Sequence, residues 1–235
     1  MTADKIGLAG SSRSRMTKAV RVLRSEGLFA LASRAADVVR PRVYLDESHI
    51  WYSLDLTTLT EPAPLPGGLE VVRGGVDQLS WLDQLDTVNS STGRARLAGG
   101  AVWWCVLQDA QPVFSCWVFS KTAPVLAAPG GWLSLPHGAV VLEDSVTAPA
   151  GRGRGIAPAA WRHVAASAAA SASVMFTKVA VTNTPSRKAV VKAGYREILQ
   201  QRHLRIGPVT RTRLSLASTD AALLARGLHG KLSVT

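Results

Sequence analysis

The segment "EDSVTAPAGRGRGIAPAAW", residues 143–161, is the stretch that most constrains the fold of this chain. Apolar residues lead into the acids Glu143 and Asp144 and predict a strand over residues 139–147. An alanine-rich segment with apolar residues at helical spacing predicts a helix over residues 158–170. The chain therefore has a strand, a loop of glycine and arginine, and a helix in direct succession.

The loop has the composition of an anion-binding site. Gly153 and Gly155 allow a ligand to approach the backbone, and the start of the helix directs free N–H groups to the same point. Arg152 and Arg154 add donors of charge-assisted hydrogen bonds. Neither the G-x-x-x-x-G-K-[ST] loop nor the dinucleotide spacing G-x-G-x-x-G is present. The loop favours a bound pyrophosphate, and a glycine turn with solvated arginines is the alternative.

Composition indicates a globular protein with a basic surface. The 235 residues are 47% hydrophobic and 18% charged, which suits one ordinary domain with an extension and a sizeable core. The formal net charge is +11, and residues 184–235 hold ten Lys or Arg against two acids. Such a surface attracts polyanions, whether nucleic acid, acidic lipid or a phosphorylated cofactor. Two cysteines make neither a secreted disulfide framework nor a zinc site.

The location expected from the sequence is cytoplasmic. The start of the chain lacks the apolar run of a signal peptide. The longest stretch of low charge, residues 164–176, is too short and too rich in Ala and Ser to span a bilayer.

Three segments are predicted along the chain. Residues 1–60 form a basic, partly helical extension, with a helix over about residues 17–40 that packs on the main domain or contacts a membrane surface or a partner. The linker "EPAPLPGG" opens the main domain, which covers residues 61–215. Residues 216–235 form a tail with room for a short helix. The order of the predicted elements is α+β.

A β-hairpin is predicted from two β-rich runs, "GAVWWCVLQ" and "PVFSCWVFS", that flank Asp109–Gln111. A turn centred between Ala110 and Gln111 would place Cys105 opposite Cys116 as neighbouring reduced thiols. The tryptophans Trp103, Trp104 and Trp117 serve hairpin packing or, alternatively, a platform for stacking a sugar.

Two motifs resemble those of the GNAT superfamily of acyl-CoA-dependent N-acyltransferases. The segment "LEDSVTAPAGRGRGIA" resembles its Q/R-x-x-G-x-G/A motif through Arg152, Gly155 and Ala157. About thirty residues downstream, "VTNTPSRKAVVKAGY" resembles the N-x-x-S/A…G-F/Y segment. The resemblance covers roughly residues 69–205. It implies a central, mostly antiparallel sheet with two splayed parallel strands, flanked by helices.

The resemblance also implies a cofactor site. In that family the loop binds the pyrophosphate of coenzyme A, and the pantetheine lies between the splayed strands. The implied acetyl-CoA-binding residues of this chain are Val146, Thr147, Arg152, Gly153, Arg154, Gly155, Ile156, Ala157, Asn183 and Ser186. No metal is implied. Capping of a helix is an alternative role for Asn183.

The acids before the loop offer a general base. Adjacent residues of a regular strand point to opposite faces, so only one of Glu143 and Asp144 would serve. The resemblance favours Glu143 as the base, with a structural ion pair or cation binding as alternatives. Val190 stands where many members carry a tyrosine general acid, so no general acid is assigned. Tyr195 is expected in the core.

The expected activity is transfer of an acetyl group from acetyl-CoA to a primary amine by direct attack. The acceptor is a small molecule, with an amino sugar as first choice and a polyamine or protein amine as alternatives. His137 either lines the acceptor pocket or is an ordinary loop residue. Two other classes of function stay open: a nucleic-acid-binding module and a catalytically silent acyl-CoA sensor. Retention on DNA that depends on salt would indicate the first, and binding of coenzyme A without turnover the second.

Overall fold

The computed structural model describes residues 44–59, 65–85, 87–216, 221–228 and 231–232. The chain divides into two compact units, Met1–Asp46 with Leu204–Thr210, and Glu47–His203 with Arg211–Thr235. In the first unit the described residues are strand ends and a turn at Gly207, where φ is 55°. The second unit carries all the residues of the candidate site. The helix predicted over residues 17–40 lies outside the described residues.

Most described residues belong to strands and helices. The strands are β1 (Tyr44–Asp55), β2 (Leu69–Gly74), β3 (Val102–Gln108), β4 (Gln111–Ser120), β5 (Thr122–Pro124), β6 (Trp132–Ser134), β7 (Ala139–Thr147), β8 (Val174–Ala180), β9 (Arg196–Ile206), β10 (Val209–Leu216) and β11 (Lys231–Leu232). The α-helices are α1 (Ser80–Gln84), α2 (Ser90–Ala98), α3 (Ile156–Ala168), α4 (Thr184–Lys192) and α5 (Ala221–Ala225).

One large mixed sheet organises the fold. Its strand order among the described residues is β11-β10-β9-β1-β8-β7-β4-β3-β2, and β5 pairs with β6 separately. The neighbours β7 and β8 are parallel, whereas β1–β8, β4–β7, β3–β4 and β2–β3 are antiparallel. The predicted fold class, a mixed sheet with two parallel central strands and flanking helices, is confirmed.

The two parallel strands separate along their length. Their pairing runs from Ala139↔Val174 to Leu142↔Thr177, after which β7 continues to Thr147 and β8 to Ala180. The crossover between them contains α3, as a parallel connection requires. An opening therefore forms at the carboxyl ends of the two strands, which is where open sheets of this kind bind ligands.

Strand β1 lies inside the sheet. It pairs with β8 from His49↔Ala180 to Asp55↔Val174, and its Trp51 and Tyr52 are fully buried. The predicted N-terminal extension covers residues 1–60, so β1 lies outside the predicted main domain. The segment "HIWYSLDL" carries large apolar residues on both faces, as an inner strand covered on both sides needs.

The two faces of the sheet hold separate cores. One face, here called the tryptophan face, buries Trp51, Trp103 and Trp117 together with residues of α1 and α5. The opposite face, here called the α3 face, buries Tyr52, Phe114 and Leu142 against α3 and α4. Trp103 and Trp117 stack with ring centroids 5.7 Å apart and are completely buried, so they serve packing and not a sugar platform.

The predicted hairpin exists, but its predicted register is wrong by one residue. Asp109 and Ala110 both have positive φ, 49° and 60°, as a two-residue hairpin turn requires. A bulge then shifts the pairing, so that Cys105 lies opposite Ser115 and Cys116 opposite Trp104. A one-residue shift moves a side chain to the other face, and the two free thiols belong to different cores. Burial raises the pKa of Cys105 to about 12.

Candidate active site

Strand β7 has a β-bulge where it leaves β8. It pairs with β4 at Trp117↔Glu143 and again at Ser115↔Val146, so two residues of β7 lie opposite Cys116 alone. The extra residue is Asp144, whose φ of 49° lies in the left-handed region. The bulge begins directly after Leu142↔Thr177, the last pair between β7 and β8. It therefore marks the point where the strands part.

The glycine-rich loop after β7 turns the chain into α3. A short 3-10 turn over Pro149–Gly151 is followed by Gly153 and Gly155, with φ of 77° and 75°, and Gly155 is the N-cap of α3. Apart from the glycine and its two chain neighbours, no described residue has an atom within 4 Å of a Cβ placed on either glycine. The backbone conformation, and not protein packing, accounts for glycine at both positions.

A cleft of about 670 Å³ lies between this loop and the start of α4. Its lining includes nine of the ten residues predicted to bind the cofactor: Val146, Thr147, Arg152, Gly153, Gly155, Ile156, Ala157, Asn183 and Ser186. The tenth, Arg154, donates from Nη1 to Oε1 of Gln108 over 2.8 Å. The structure thus brings the two motif segments together, although about thirty residues separate them in sequence.

Several residues of the cleft were not predicted. Phe114, Ser145 and Trp161 line it, and Trp161 Nε1 donates to Ser145 Oγ over 2.9 Å. Lys188 and Lys192 of α4 also line it, together with Arg152. The spacing of four residues between Lys188 and Lys192 on one helix was the sequence signal that could have predicted them. Three cations and the open N-terminus of a 13-residue helix fit a ligand that carries phosphate groups.

The second motif segment, residues 181–195, contributes to the core and to helix capping as well as to the lining of the cleft. The Asn183 side chain accepts from the Ser186 backbone N–H over 3.2 Å and caps α4, although both residues also line the cleft. Tyr195 is buried and donates to Met175 Sδ over 3.0 Å, as a core residue does. Burial raises the pKa of Tyr195 well above its usual range. Val190 is buried as well.

Glu143 lies on the tryptophan face, at the start of the bulge. It is only 8% exposed, and its Oε2 accepts from Lys178 Nζ on β8, so the pair spans the gap between the separating strands. Its Oε1 is buried without a hydrogen-bond partner among the described residues. Burial raises the pKa of the Glu143 carboxyl, and the Lys178 charge opposes this effect. A lone lysine in the apolar strand "TKVAV" was the available signal for this partner.

Asp144 lies on the same side as Glu143, which corrects the expectation that they face apart. Its Oδ2 is 2.6 Å from Nη2 of Arg96, a residue of α2. The guanidinium of Arg96 lies over Trp117, and Lys178 lies over Trp51, both rings of the tryptophan face. The bulge is the physical reason, because its extra residue interrupts the alternation of a regular strand.

Two histidines differ in their relation to this site. His137 is exposed and precedes β7, at the end of the strand away from the bulge. His49 of β1 lies near Lys178, and burial together with that charge lowers the pKa of its imidazole. Its Nδ1 has no hydrogen-bond partner among the described residues.

The described residues hold no group of three or more His, Cys, Asp or Glu arranged to bind a metal ion. Within the described ranges no helix combines the length and apolar character needed to cross a bilayer.

Comparisons with known proteins find likeness at the level of structure. No family model matches the sequence, and no curated protein matches it significantly. A Drosophila protein of known structure aligns with 75% of this chain and 57% of its own, at 14% identity and a TM-score of 0.51.

Two further solved structures carry names that state an activity. An acetyltransferase from the GNAT family of Colwellia psychrerythraea aligns over 74% of this chain and 60% of its own, with 14% identity and a TM-score of 0.48. A GCN5-related N-acetyltransferase from Kribbella flavida aligns over 76% and 63%, with 11% identity and a TM-score of 0.48. This chain spans less than two thirds of each of the three structures, and the likeness concerns the fold alone.

Proposed function

We propose that this protein transfers an acyl group, with acetyl as the first candidate, from an acyl-CoA thioester to a primary amine. One observation carries the proposal. The cleft with its glycine loop lies on the α3 face at the point where β7 and β8 separate, and a buried carboxylate lies at the same point on the tryptophan face. A thioester held between the strands would meet the phosphate-binding loop on one side and a proton acceptor on the other.

Different residues of the cleft would bind different parts of the acyl-CoA donor. The backbone N–H groups from Gly153 to Ala157, with Arg152, would hold the pyrophosphate, because free N–H groups and a helix N-terminus favour an anion. Lys188 and Lys192 add positive charge along the wall formed by α4. Backbone N–H groups near Val146 and Thr147 would polarise the thioester carbonyl.

The proposed role of Glu143 is to remove a proton from the acceptor. An amine of pKa about 10.4 is mostly protonated at pH 7, and its free form costs about 4.6 kcal/mol to populate. A carboxylate beside the reacting carbon lowers that cost by taking the proton. Lys178 would keep the carboxylate ionised although it is buried. A thiolate of pKa about 8.5 can leave without an assigned general acid.

Calorimetry and an acceptor screen test the proposal. We expect acetyl-CoA to bind much more tightly than S-acetylpantetheine, which lacks the pyrophosphate. In a mass-spectrometric screen of amino sugars, polyamines and peptide amines, we expect an acetylated amine and one free thiol per product. Equal affinity for the two thioesters would contradict the proposal that the glycine loop binds the pyrophosphate. Binding of acetyl-CoA with no product from any amine would instead indicate an acyl-CoA sensor.

A further inference from the structure

A hydroxyl group lies in the cleft at the point where β7 and β8 separate. Ser145 is the second residue of the bulge in β7, since Asp144 and Ser145 together lie opposite Cys116. Its side chain is half-buried and lines the cleft. Because its Oγ accepts from Trp161 Nε1 of α3, this side chain lies on the α3 face, whereas Glu143 lies on the tryptophan face. The two polar groups therefore lie on either side of the place proposed for the thioester.

Trp161 determines how the Ser145 hydroxyl can bond. A hydroxyl has one proton to donate and two lone pairs, whereas an indole N–H can only donate. Trp161 is only 6% exposed, and its Nε1 donates to Ser145 Oγ over 2.9 Å. In the described part of the chain this is the one hydrogen bond of that hydroxyl, and it uses a lone pair. The hydroxyl proton is therefore available to a ligand in the cleft.

The proposed reaction places a developing charge on sulfur. As the amine nitrogen bonds to the carbonyl carbon, the C–S bond breaks and its electron pair goes to the sulfur. Tyr195 cannot reach a ligand, because it is buried and donates to Met175 Sδ. Thr147 and Ser186 also line the cleft, but they lie toward the loop and on α4. Ser145 is the hydroxyl residue of the cleft lining that lies in the bulge itself.

We propose that Ser145, oriented by Trp161, donates a hydrogen bond to the sulfur of the acyl-CoA donor and so stabilises the departing thiolate. This inference rests on the proposed function, because it needs a thioester between β7 and β8. Ser145 keeps its proton, since an aliphatic hydroxyl is a far weaker acid than a thiol. The thiolate leaves as such and later takes a proton from water. The bond strengthens as negative charge develops, so it favours the transition state over the bound thioester.

The affinity for coenzyme A as a function of pH tests the inference without relying on turnover. A hydrogen bond to the thiolate lowers the pKa of the bound thiol below its value in solution. The ionised form then binds more tightly, so affinity rises as the pH increases through that range. S-Methyl-coenzyme A has no ionisable thiol and corrects for titration of the protein and of the phosphates. In calorimetry with the intact chain, we expect the ratio of the two affinities to rise about five- to tenfold between pH 6 and pH 10.

Variants assign the effect to the hydroxyl. Ser145→Ala should reduce the rise to below about twofold, whereas Ser145→Thr keeps a hydroxyl and should keep most of it. Trp161→Phe keeps an aromatic ring but loses the N–H that orients the hydroxyl, so its rise should be intermediate. The matched control is Ser115→Ala. Ser115 Oγ also accepts from an indole, that of Trp103 over 2.7 Å, but Ser115 does not line the cleft. Its loss should lower the melting temperature and leave the ratio unchanged.

The outcomes separate this inference from the proposed function. An equal rise in the unmodified protein and in Ser145→Ala, or no rise in either, overturns the inference and leaves the coenzyme A site standing. A rise that depends on Ser145, without acetylation of any amine, supports the inference and removes the proposed activity. A ratio flattened equally by Ser115→Ala overturns the inference, because the effect would then come from altered packing. Failure of both ligands to bind overturns both proposals.

Discussion

At the scale of single residues, the two adjacent acids have different environments and should respond differently to neutralisation. Glu143 is buried against Lys178, whereas Asp144 is 41% exposed and pairs with Arg96. We expect Glu143→Gln to lower turnover by about 10²–10⁴-fold with little change in acetyl-CoA affinity, since a glutamine cannot take the proton. Higher pH should partly restore the variant, because more of the acceptor amine is already deprotonated.

Steady-state rates between pH 6 and pH 9, with a confirmed acceptor, provide the measurement for that variant. Asp144→Asn is the control and should have a much smaller effect on turnover. A larger loss from Asp144→Asn would transfer the role of base to Asp144. Unchanged rates in both variants would mean that alignment and carbonyl polarisation supply the catalysis.

Lys178 should set the pH range in which Glu143 is active. Burial raises the pKa of Glu143 and the Lys178 charge lowers it, so removing Lys178 should raise that pKa further. A base works only when ionised, and therefore the acidic limb of the kcat/KM profile should move to higher pH in Lys178→Met. Lys178→Arg, which keeps the charge, should leave the limb near its original position. A limb that stays in place in Lys178→Met would show that Lys178 does not act on the base.

At the scale of elements, the turn from β7 into α3 needs Gly155 both for its backbone conformation and for its place in the cleft. Gly155 has a φ of 75°, and it also lines the cleft. Gly100, between α2 and β3, has a φ of 83° and similarly open surroundings but is not among the cleft residues. Alanine at either position should lower the free energy of unfolding by about 1–2 kcal/mol, the strain of a left-handed residue.

Only Gly155→Ala should also weaken the binding of acetyl-CoA, because its methyl group would occupy space beside the N–H groups that we propose bind the pyrophosphate. Denaturant unfolding and calorimetry on both variants separate strain from binding. If Gly100→Ala reduced acetyl-CoA affinity as much as Gly155→Ala, the effect would come from general destabilisation.

At the scale of the whole molecule, the sheet depends on β1, which reaches β8 from a distant part of the chain. β1 buries Ile50, Trp51, Tyr52 and Leu54. Burial of one large apolar side chain is worth about 1.5–3 kcal/mol, and a domain's total stability is about 5–15 kcal/mol. We therefore expect a chain that starts at residue 61 to lose cooperative thermal unfolding.

Circular dichroism melts of that truncated chain provide the measurement. A synthetic peptide of residues 44–59 should restore a cooperative transition, and a peptide of the same composition in scrambled order should not. A cooperative melt of the truncated chain alone, at the temperature of the intact protein, would contradict a structural role for β1.

Local patterns were enough to predict much of the fold. The strand, glycine loop and helix around residues 143–161 and the hairpin follow from periodicity and turn residues close together in sequence. The buried position of Tyr195 followed from the family resemblance. The α+β class followed from the order of these elements, and the mixed sheet with parallel central strands followed from the resemblance of their motifs. The positive φ at Gly153 and Gly155 is a property of the loop itself.

Only the tertiary structure decided which partners these elements have. The place of β1 beside β8 and the pairing of Glu143 with Lys178 join residues far apart in sequence. The bulge that brings Asp144 to the side of Glu143 depends likewise on the pairing of β7 with β4. No local pattern specifies register or the partner of a buried charge, because both depend on long-range packing that fixes one pairing among many. The sequence by itself thus determined the loop and its glycines, and the folded sheet determined which charges surround the carboxylate.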